Sequence, residues 1–293
     1  MELELRHLRA LIALADCGTH TAAAAELRVS QPTLTRSVRQ LEQRCGRRLI
    51  ESRSADLTED GMVVLGRARR IVGELDALIA DLDEQPVVRL GFAWLLPDGW
   101  FAATRASLVR QYGADVDVRR VDDPLAALDA REVDVALYRS RPHHLTAGTV
   151  TRQVGTERRI LAVSRSNLSL DDATEVRWDA LPPGPLVVNT LSGSTTADSI
   201  PEAEDGEPRA VITCRNFEEW LENIAAGRGL GIVPELAAHR IFHPSIRFLP
   251  IDGAPPSQVR LAWRDGPVPS RAVRWFLDVA FAHGQHVRVA RQP

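Results

Sequence analysis

Four consecutive alanines, Ala22 to Ala25, followed after a gap of four residues by Ser30-Gln31-Pro32, leave residues 18 to 44 few ways to fold. Alanine has the best helix propensity and almost no side chain, so this run makes a short helix that a neighbour can approach closely. Thr21 is placed to cap it, and it runs to about Leu27. Ser30 stands at the N-cap of a second helix, with Gln31 and Pro32 in the first turn, where a missing N–H costs nothing. Along that helix Leu34, Val38, Leu41 and Cys45 fall at i, i+4, i+7 and i+11 and form an inward face. The opposite face presents Gln31, Thr35, Arg36, Arg39 and Gln43. Two short helices joined by a tight turn, the second one basic and hydroxyl-rich, have the shape of a helix-turn-helix, which lays its second helix in the major groove of DNA. Arginine bonds both guanine acceptors at once and glutamine does the same for adenine. Hydroxyls and the helix N-terminus suit phosphate. On an isolated helix the same face would simply be solvated.

The net charge of -3 hides where the positive charge lies. From Arg28 to Arg53 seven arginines stand against Glu42 and Glu51, a local excess of five positive charges. That concentration is the footprint of a nucleic-acid binder. Upstream, Leu5, Leu8, Ile12 and Ala15, with Leu11 beside them, mark one stripe of a first helix that Gly18 stops. Downstream, Arg47 to Thr58 reads as a short hairpin, a wing that brings Arg53 to the backbone or minor groove. Thr58 then caps a long helix with Glu59 and Asp60 in its first turn. Leu65, Ala68, Val72, Leu75, Ile79 and Leu82 follow an a/d heptad seam, flanked by Val64, Ile71 and Leu78. A seam this narrow implies a partner helix, most economically the same helix of a second subunit, unless it packs on the chain's own body. Gln85-Pro86 ends the helix and opens a hinge.

From Val87 onward short apolar runs alternate with helical ones. Strands are predicted at Val87–Ala93, Val116–Val121, Val133–Leu137, about Arg159–Val163, Leu186–Asn189, Ala210–Thr213, Leu230–Val233 and Val259–Trp263. Helices are predicted at Pro97–Tyr112, Leu125–Ala130, Phe217–Ala226 and Arg271–Ala282. The alternation argues an α/β domain with mostly parallel sheets. Its length and return passes suggest two lobes around a cleft, an arrangement resembling periplasmic binding proteins.

Other features point to no chemistry. Gly227-x-Gly229-x-Gly231 follows a helix and precedes a strand, the reverse of a dinucleotide loop, so it reads as a helix stop. His143-His144 and the other histidines show no ligand spacing and are read as surface residues. Cys17, Cys45 and Cys214 are too few and scattered for a disulfide framework or a zinc site and are read as buried apolar residues. No catalytic constellation assembles, and neither a metal nor a cofactor is implied. No apolar run reaches membrane-spanning length, and the acidic start Met1-Glu2-Leu3-Glu4 is unlike a signal peptide, so a cytoplasmic protein is expected. Ligands of α/β sheets sit beyond strand C-termini, near helix N-termini. The segments so placed are Trp94–Gly99, Thr190–Thr196 and Arg215–Phe217, and the candidate effector contacts are Leu95, Asp98, Thr190, Ser192, Ser194, Asn216 and Phe217.

The first segment resembles the LysR-type transcriptional regulators. The resemblance is carried by Ala23-Ala24-Ala25-Glu26-Leu27, Val29-Ser30-Gln31-Pro32-Thr33-Leu34-Thr35-Arg36, Leu41-Glu42, Gly46, Leu49-Ile50 and Leu57-Thr58 followed by Gly61. Two later stretches, Asp134-Val135-Ala136-Leu137 and Ala226 to Pro234, extend it more loosely. It implies DNA contacts by Ser30, Gln31, Pro32, Thr33, Thr35 and Arg36, to which the helix face adds Arg39 and the wing Arg53. The stretch from Leu49 to Leu57 is about two residues shorter than the family pattern, and Ser52 and Ala55 stand where arginines are common. Where the family often carries Ser or Thr before the first effector-domain helix, this chain has Leu95-Leu96-Pro97-Asp98, so an apolar or cationic effector is as consistent as a carboxylate.

The expected architecture is an N-terminal all-α winged helix-turn-helix (residues 1–58), a linker helix (59–85) that dimerises through Leu65, Val72, Leu75, Ile79 and Leu82, and a two-lobed α/β effector domain (86–293). By analogy lobe I holds about 87–160 and 262–293, and lobe II about 161–261. The expected partners are double-stranded DNA with dyad symmetry, a small-molecule effector, and further copies of the chain as a dimer or, by the family's habit, a tetramer; RNA polymerase is a candidate. Two other readings fit the same text: an enzyme with a catalytic α/β domain behind a DNA-binding one, and an architectural DNA-binding protein that needs no effector.

Overall fold

The computed structural model describes residues 3–51, 55–81, 86–139, 145–196, 199–201, 209–264 and 270–284. They fall into two compact units, one of Met1–Asp83 with Asp129–Glu132, the other of Glu84–Leu128 with Val133–Pro293.

The first unit begins with α1 (Leu5–Cys17), α2 (His20–Glu26) and α3 (Gln31–Cys45) and ends with α4 (Glu59–Asp81). Gly18 and Gly46 adopt left-handed conformations, φ 68° and 64°, and stop α1 and α3 as glycine does at helix ends. The cap of α2 is Thr19 rather than Thr21: its Oγ1 accepts from Ala22 N–H at 3.2 Å, so the helix starts two residues earlier than predicted. Ser30 caps α3 as expected, with its Oγ accepting from Thr33 N–H at 3.3 Å. Leu8, Leu11 and Leu14 of α1 enter the core, whereas Leu5 is exposed and Ile12 and Ala15 only half-buried. The buried stripe is therefore rotated from the one the spacing suggested, because α1 must face α2, α3 and α4 together. Ala23 and Ala24 are buried, and Leu34, Val38, Leu41, Leu49 and Ala68 complete that core. Cys45 is exposed, a correction to its predicted inward place, since the last turn of α3 projects past the core. Cys17 is half-buried, so of the three cysteines only Cys214 is a buried apolar residue.

Two sheets organise the second unit. The first, in the order β2-β1-β3-β11-β4, contains β1 (Val87–Phe92), β2 (Asp115–Arg120), β3 (Val135–Tyr138), β4 (Thr149–Glu157) and β11 (Ser257–Arg264). Helices α5 (Asp98–Tyr112), α6 (Pro124–Asp129) and α9 (Arg271–Ala282) accompany these strands. Trp100 and Phe276 are fully buried and meet edge to face at 6.3 Å, and Trp100 Nε1 donates to the Ala280 carbonyl at 2.8 Å. The second sheet runs β6-β10-β5-β9, from β5 (Arg159–Ser164), β6 (Val176–Arg177), β9 (Gly231–Pro234) and β10 (Ile246–Asp252). A parallel pair, β7 (Leu186–Asn189) and β8 (Val211–Cys214), reaches β9 through a bridge from Leu186 to Leu230. Helices α7 (Phe217–Ala225) and α8 (Leu236–Arg240) complete this half.

The sheets are mixed, not mostly parallel. β1 pairs in parallel with β2 and β3, but β11 runs antiparallel to β3 and β4, and β5 antiparallel to β9 and β10. The antiparallel pairs join strands far apart in the chain, β3 and β4 with β11 and β5 with β9 and β10, so the local strand–helix alternation does not set their direction. β4, β6, β10 and α8 lie outside the predicted elements. The glycine triplet is structural, as predicted. Gly227 takes φ 71° just past α7, and a Cβ on Gly231 would sit 2.0 Å from the Trp220 ring.

Candidate DNA-reading face and effector cleft

On α3 the side chains of Gln31, Pro32, Thr35, Arg36, Arg39, Gln40 and Gln43 line one open concave surface. Gln31, Pro32, Thr33, Arg36 and Arg39 are exposed and Thr35 is half-buried. Arg36 and Arg39 make no ion pair among the described residues. The one carboxylate of α3 is turned away from them: Glu42 Oε1 accepts from the backbone N–H of Leu49 at 2.9 Å and of Ile50 at 3.2 Å. Both acceptor contacts lie at the start of the wing, so the acid that would repel phosphate instead fixes the wing to the helix. Ser30 and Thr33 are joined through their hydroxyls at 2.8 Å at the helix N-terminus, where backbone N–H groups and the dipole favour an anion.

The wing closes through an antiparallel bridge between Ile50 and Leu57, with Glu51 N–H donating to Asp56 O at 2.9 Å and Thr58 N–H to Leu49 O at 3.0 Å. Arg53, the expected wing contact, lies outside the described residues. Thr58 Oγ1 accepts from Gly61 N–H at 2.9 Å and donates to Arg48 O at 2.8 Å, tying α4 to the wing. A Cβ on Gly61 would stand 2.1 Å from Leu49 O, which is why a helix interior here carries glycine.

The heptad seam of α4 divides. Leu65, Ala68 and Val72 pack into the core of their own unit, with Ala68 fully buried. Leu75 is half-buried, while Ile71, Leu78 and Ile79 are 49%, 59% and 57% exposed, an apolar surface left on the distal half of the helix. Leu82 lies outside the described residues.

In the second unit a ladder of rings joins the two sheets. Trp94, just past β1, stacks on Phe217 of α7 at 4.8 Å and 5°, and Phe217 stacks on Trp220 at 5.4 Å and 20°. Trp94 is pinned by Arg139, whose Nη1 donates to Trp94 O at 3.2 Å and whose Nη2 donates to Leu95 O at 2.8 Å. Arg139 is itself held by Glu157, Nε to Oε2 at 2.6 Å and Nη2 to Oε1 at 3.0 Å, in an ion pair 3% and 0% exposed. Leu95 sits at φ 43°, an uncommon conformation for a side-chain-bearing residue, fixed by that bond to its carbonyl.

Most of the predicted polar cluster already has partners. Asn189 Oδ1 accepts from Leu191 and Ser192 N–H, and its Nδ2 donates to Ser192 Oγ at 3.1 Å. Thr190 and Thr195 donate to Cys214 O and Ile232 O, both at 3.3 Å. Asn216 caps α7, accepting from Glu219 N–H at 2.8 Å. Within this cluster only the Ser194 hydroxyl is buried without a partner, and it lines a cavity with Trp94, Thr195, Phe217 and Trp220. That cavity holds about 20 Å³, space for one water molecule. The side chain of Asp98 is outside the described set, as are His143 and His144.

Sequence reading passed over His7, Gln40, Arg139 and Glu157. His7 is buried, contrary to a surface assignment. The only signal for the ion pair was a charge at the end of each of two strands, β3 and β4, but nothing local says that they meet.

The cysteines differ in environment. Burial, with Glu219 nearby, pushes the Cys214 thiol up to about 11, and its Sγ lies 3.5 Å from Val188 O. A thiol reagent near neutral pH is expected to label Cys45 in the native protein and Cys214 only after unfolding; fast native labelling of Cys214 would contradict this burial.

Comparisons with known proteins agree with this architecture. The model of the bacterial regulatory helix-turn-helix protein, lysR family, matches residues 5–62, and that of the LysR substrate binding domain matches residues 81–285. The chain is 28% identical over 279 residues to the HTH-type transcriptional regulator ClcR of Pseudomonas putida, covering 86% of this chain and 89% of that protein. To the HTH-type transcriptional regulator BudR of Raoultella terrigena it is 27% identical over 302 residues, covering 94% and 100%. Its fold is similar to the crystal structure of CbnR, a LysR family transcriptional regulator, with TM-score 0.68, 22% identity and coverage of 96% and 99%. A full-length OxyR from Pseudomonas aeruginosa gives TM-score 0.62 at 17% identity, covering 100% of both chains. With both modules matched across most of its length, this chain belongs to the LysR family of bacterial helix-turn-helix transcriptional regulators.

Proposed function

We propose that the chain reads a dyad-symmetric site on double-stranded DNA, as a dimer or tetramer, through Gln31, Pro32, Thr33, Thr35, Arg36 and Arg39 in the major groove and Ser30 at a phosphate. In this reading residues 1–58 dock on DNA, the linker helix of 59–85 pairs subunits, and a small molecule held between the lobes of 86–293 biases the arrangement by binding one state better than another. The work is recognition, with no catalytic step, and its place is the cytoplasm, where the DNA is. The observation that carries the proposal is the α3 face itself, where Gln and Arg side chains share one open surface and the helix's single acid is engaged elsewhere. RNA polymerase is the partner through which such a protein would act.

Arg36→Ala is expected to cost about 1–3 kcal/mol on the preferred site and to relax base preference at one position. Titrations against a panel of duplexes measure it; a uniform loss on every duplex would refute the base-reading role.

An architectural DNA binder without effector is not favoured, since the LysR substrate binding domain model matches residues 81–285, and the two readings predict different results. The two diverge in a melting experiment. Planar aromatic compounds that raise the melting temperature of the effector domain support the regulatory reading. A domain that responds to no compound, in a protein that still prefers one duplex, supports the architectural one.

A further inference from the structure

The reading of DNA by α3 has a further determinant. We infer that Gln40 reads a base edge, and that buried His7 holds its carbonyl and so presents its NH2 end, selecting guanine; this rests on the groove-facing assignment of α3 proposed above. His7 is 1% exposed and is the third residue of α1. Its Nδ1 accepts from the backbone N–H of Glu4 at 3.1 Å, and its Nε2 lies 3.0 Å from Gln40 Oε1. A peptide N–H can only donate, so Nδ1 carries no proton. The single proton of the neutral ring is then on Nε2, which donates. An amide NH2 cannot receive that bond, so the Gln40 atom facing His7 must be its carbonyl oxygen. The orientation of the Gln40 amide, ambiguous for most glutamines, is fixed by chemistry.

The consequence falls on the groove. Gln40 lines the same concave surface as Arg36, Arg39 and Gln43. A free glutamine pairs with adenine by offering one acceptor and one donor, to N6 and N7. Gln40 turns its carbonyl oxygen toward His7, which leaves its NH2, with two N–H donors, as the end available to the groove. Guanine is the base that presents two adjacent acceptors, N7 and O6, in the major groove. Gln31 and Gln43, on the same face, have no such tether among the described residues and can present either end of the amide. His7 is thus a positioning residue and Gln40 the reader.

Selection of bound duplexes from a randomised pool, with all sequences competing in one tube, tests this on the full-length chain. Base preference measured by competition does not depend on the folded fraction. The wild type is expected to show a guanine preference at one base pair of each half-site that Gln40→Ala reduces by roughly 5- to 150-fold, leaving other positions intact. Gln40→Glu, which keeps the acceptor for His7 but has no donor, should lose the same preference. His7→Phe, which releases the amide, should admit adenine at that position. His7→Gln can still accept from Glu4 and donate to Gln40, and should restore guanine. A loss of affinity equal at all positions in Gln40→Ala, as a phosphate contact gives, overturns the inference, as does an unchanged guanine preference in His7→Phe. A wild type with no preference at any position would instead overturn the reading of DNA by α3.

Discussion

Replacing Glu157 by glutamine is expected to destabilise the effector domain by about 3–5 kcal/mol, because it leaves the Arg139 guanidinium buried without a counter-charge. The substitution is nearly isosteric, so packing changes little and the charge is what is lost. For a domain of this size the loss lowers its melting transition by roughly 10 °C, readable by calorimetry as a shift in one transition and not in that of the N-terminal unit. The pair also does positional work, since Arg139 donates to the carbonyls of Trp94 and Leu95. Removing both charges with Arg139→Met and Glu157→Leu should therefore be less damaging than Glu157→Gln alone, yet not neutral, because the two carbonyls lose their donor. A Glu157→Gln protein that melts with the wild type would show that the pair is not closed in solution.

The second large effect concerns assembly. Leu78→Asp with Ile79→Asp alters side chains that are more than half exposed in a single chain, so each subunit should fold normally. Pairing between linker helices would bring four carboxylates into an apolar seam, and sedimentation should show loss of the dimer. With two half-sites no longer bound by one particle, affinity for a dyad-symmetric duplex should fall by about 10²- to 10⁴-fold, while a single half-site is bound as before. An unchanged sedimentation profile would place the subunit interface elsewhere.

How much of this was legible in the sequence depends on the range of the interaction. Local chemistry was readable: Ser30 caps α3, Gly18 stops α1, and α9 spans Arg271–Ala282 as its periodicity indicated. Elements whose identity depends on partners were not. β4 contains Gly155 and β10 contains Pro250, which interrupt the pattern of a strand, and only pairing with β11 and β5 makes them strands. The α4 periodicity could not say what covers each half, and α1 covers the first one. The α3 face was legible because its residues share one helix. The links from His7 to Gln40 and from Arg139 to Glu157 span 33 and 18 positions and leave no local trace.

The stacked pair of Trp94 and Phe217 sets a threshold on the cleft. Such a ring contact contributes about 0.5–1.5 kcal/mol beyond the area it buries, and a molecule entering between the rings must first break it. That requirement weakens apparent binding by roughly 2- to 13-fold relative to a cleft already open.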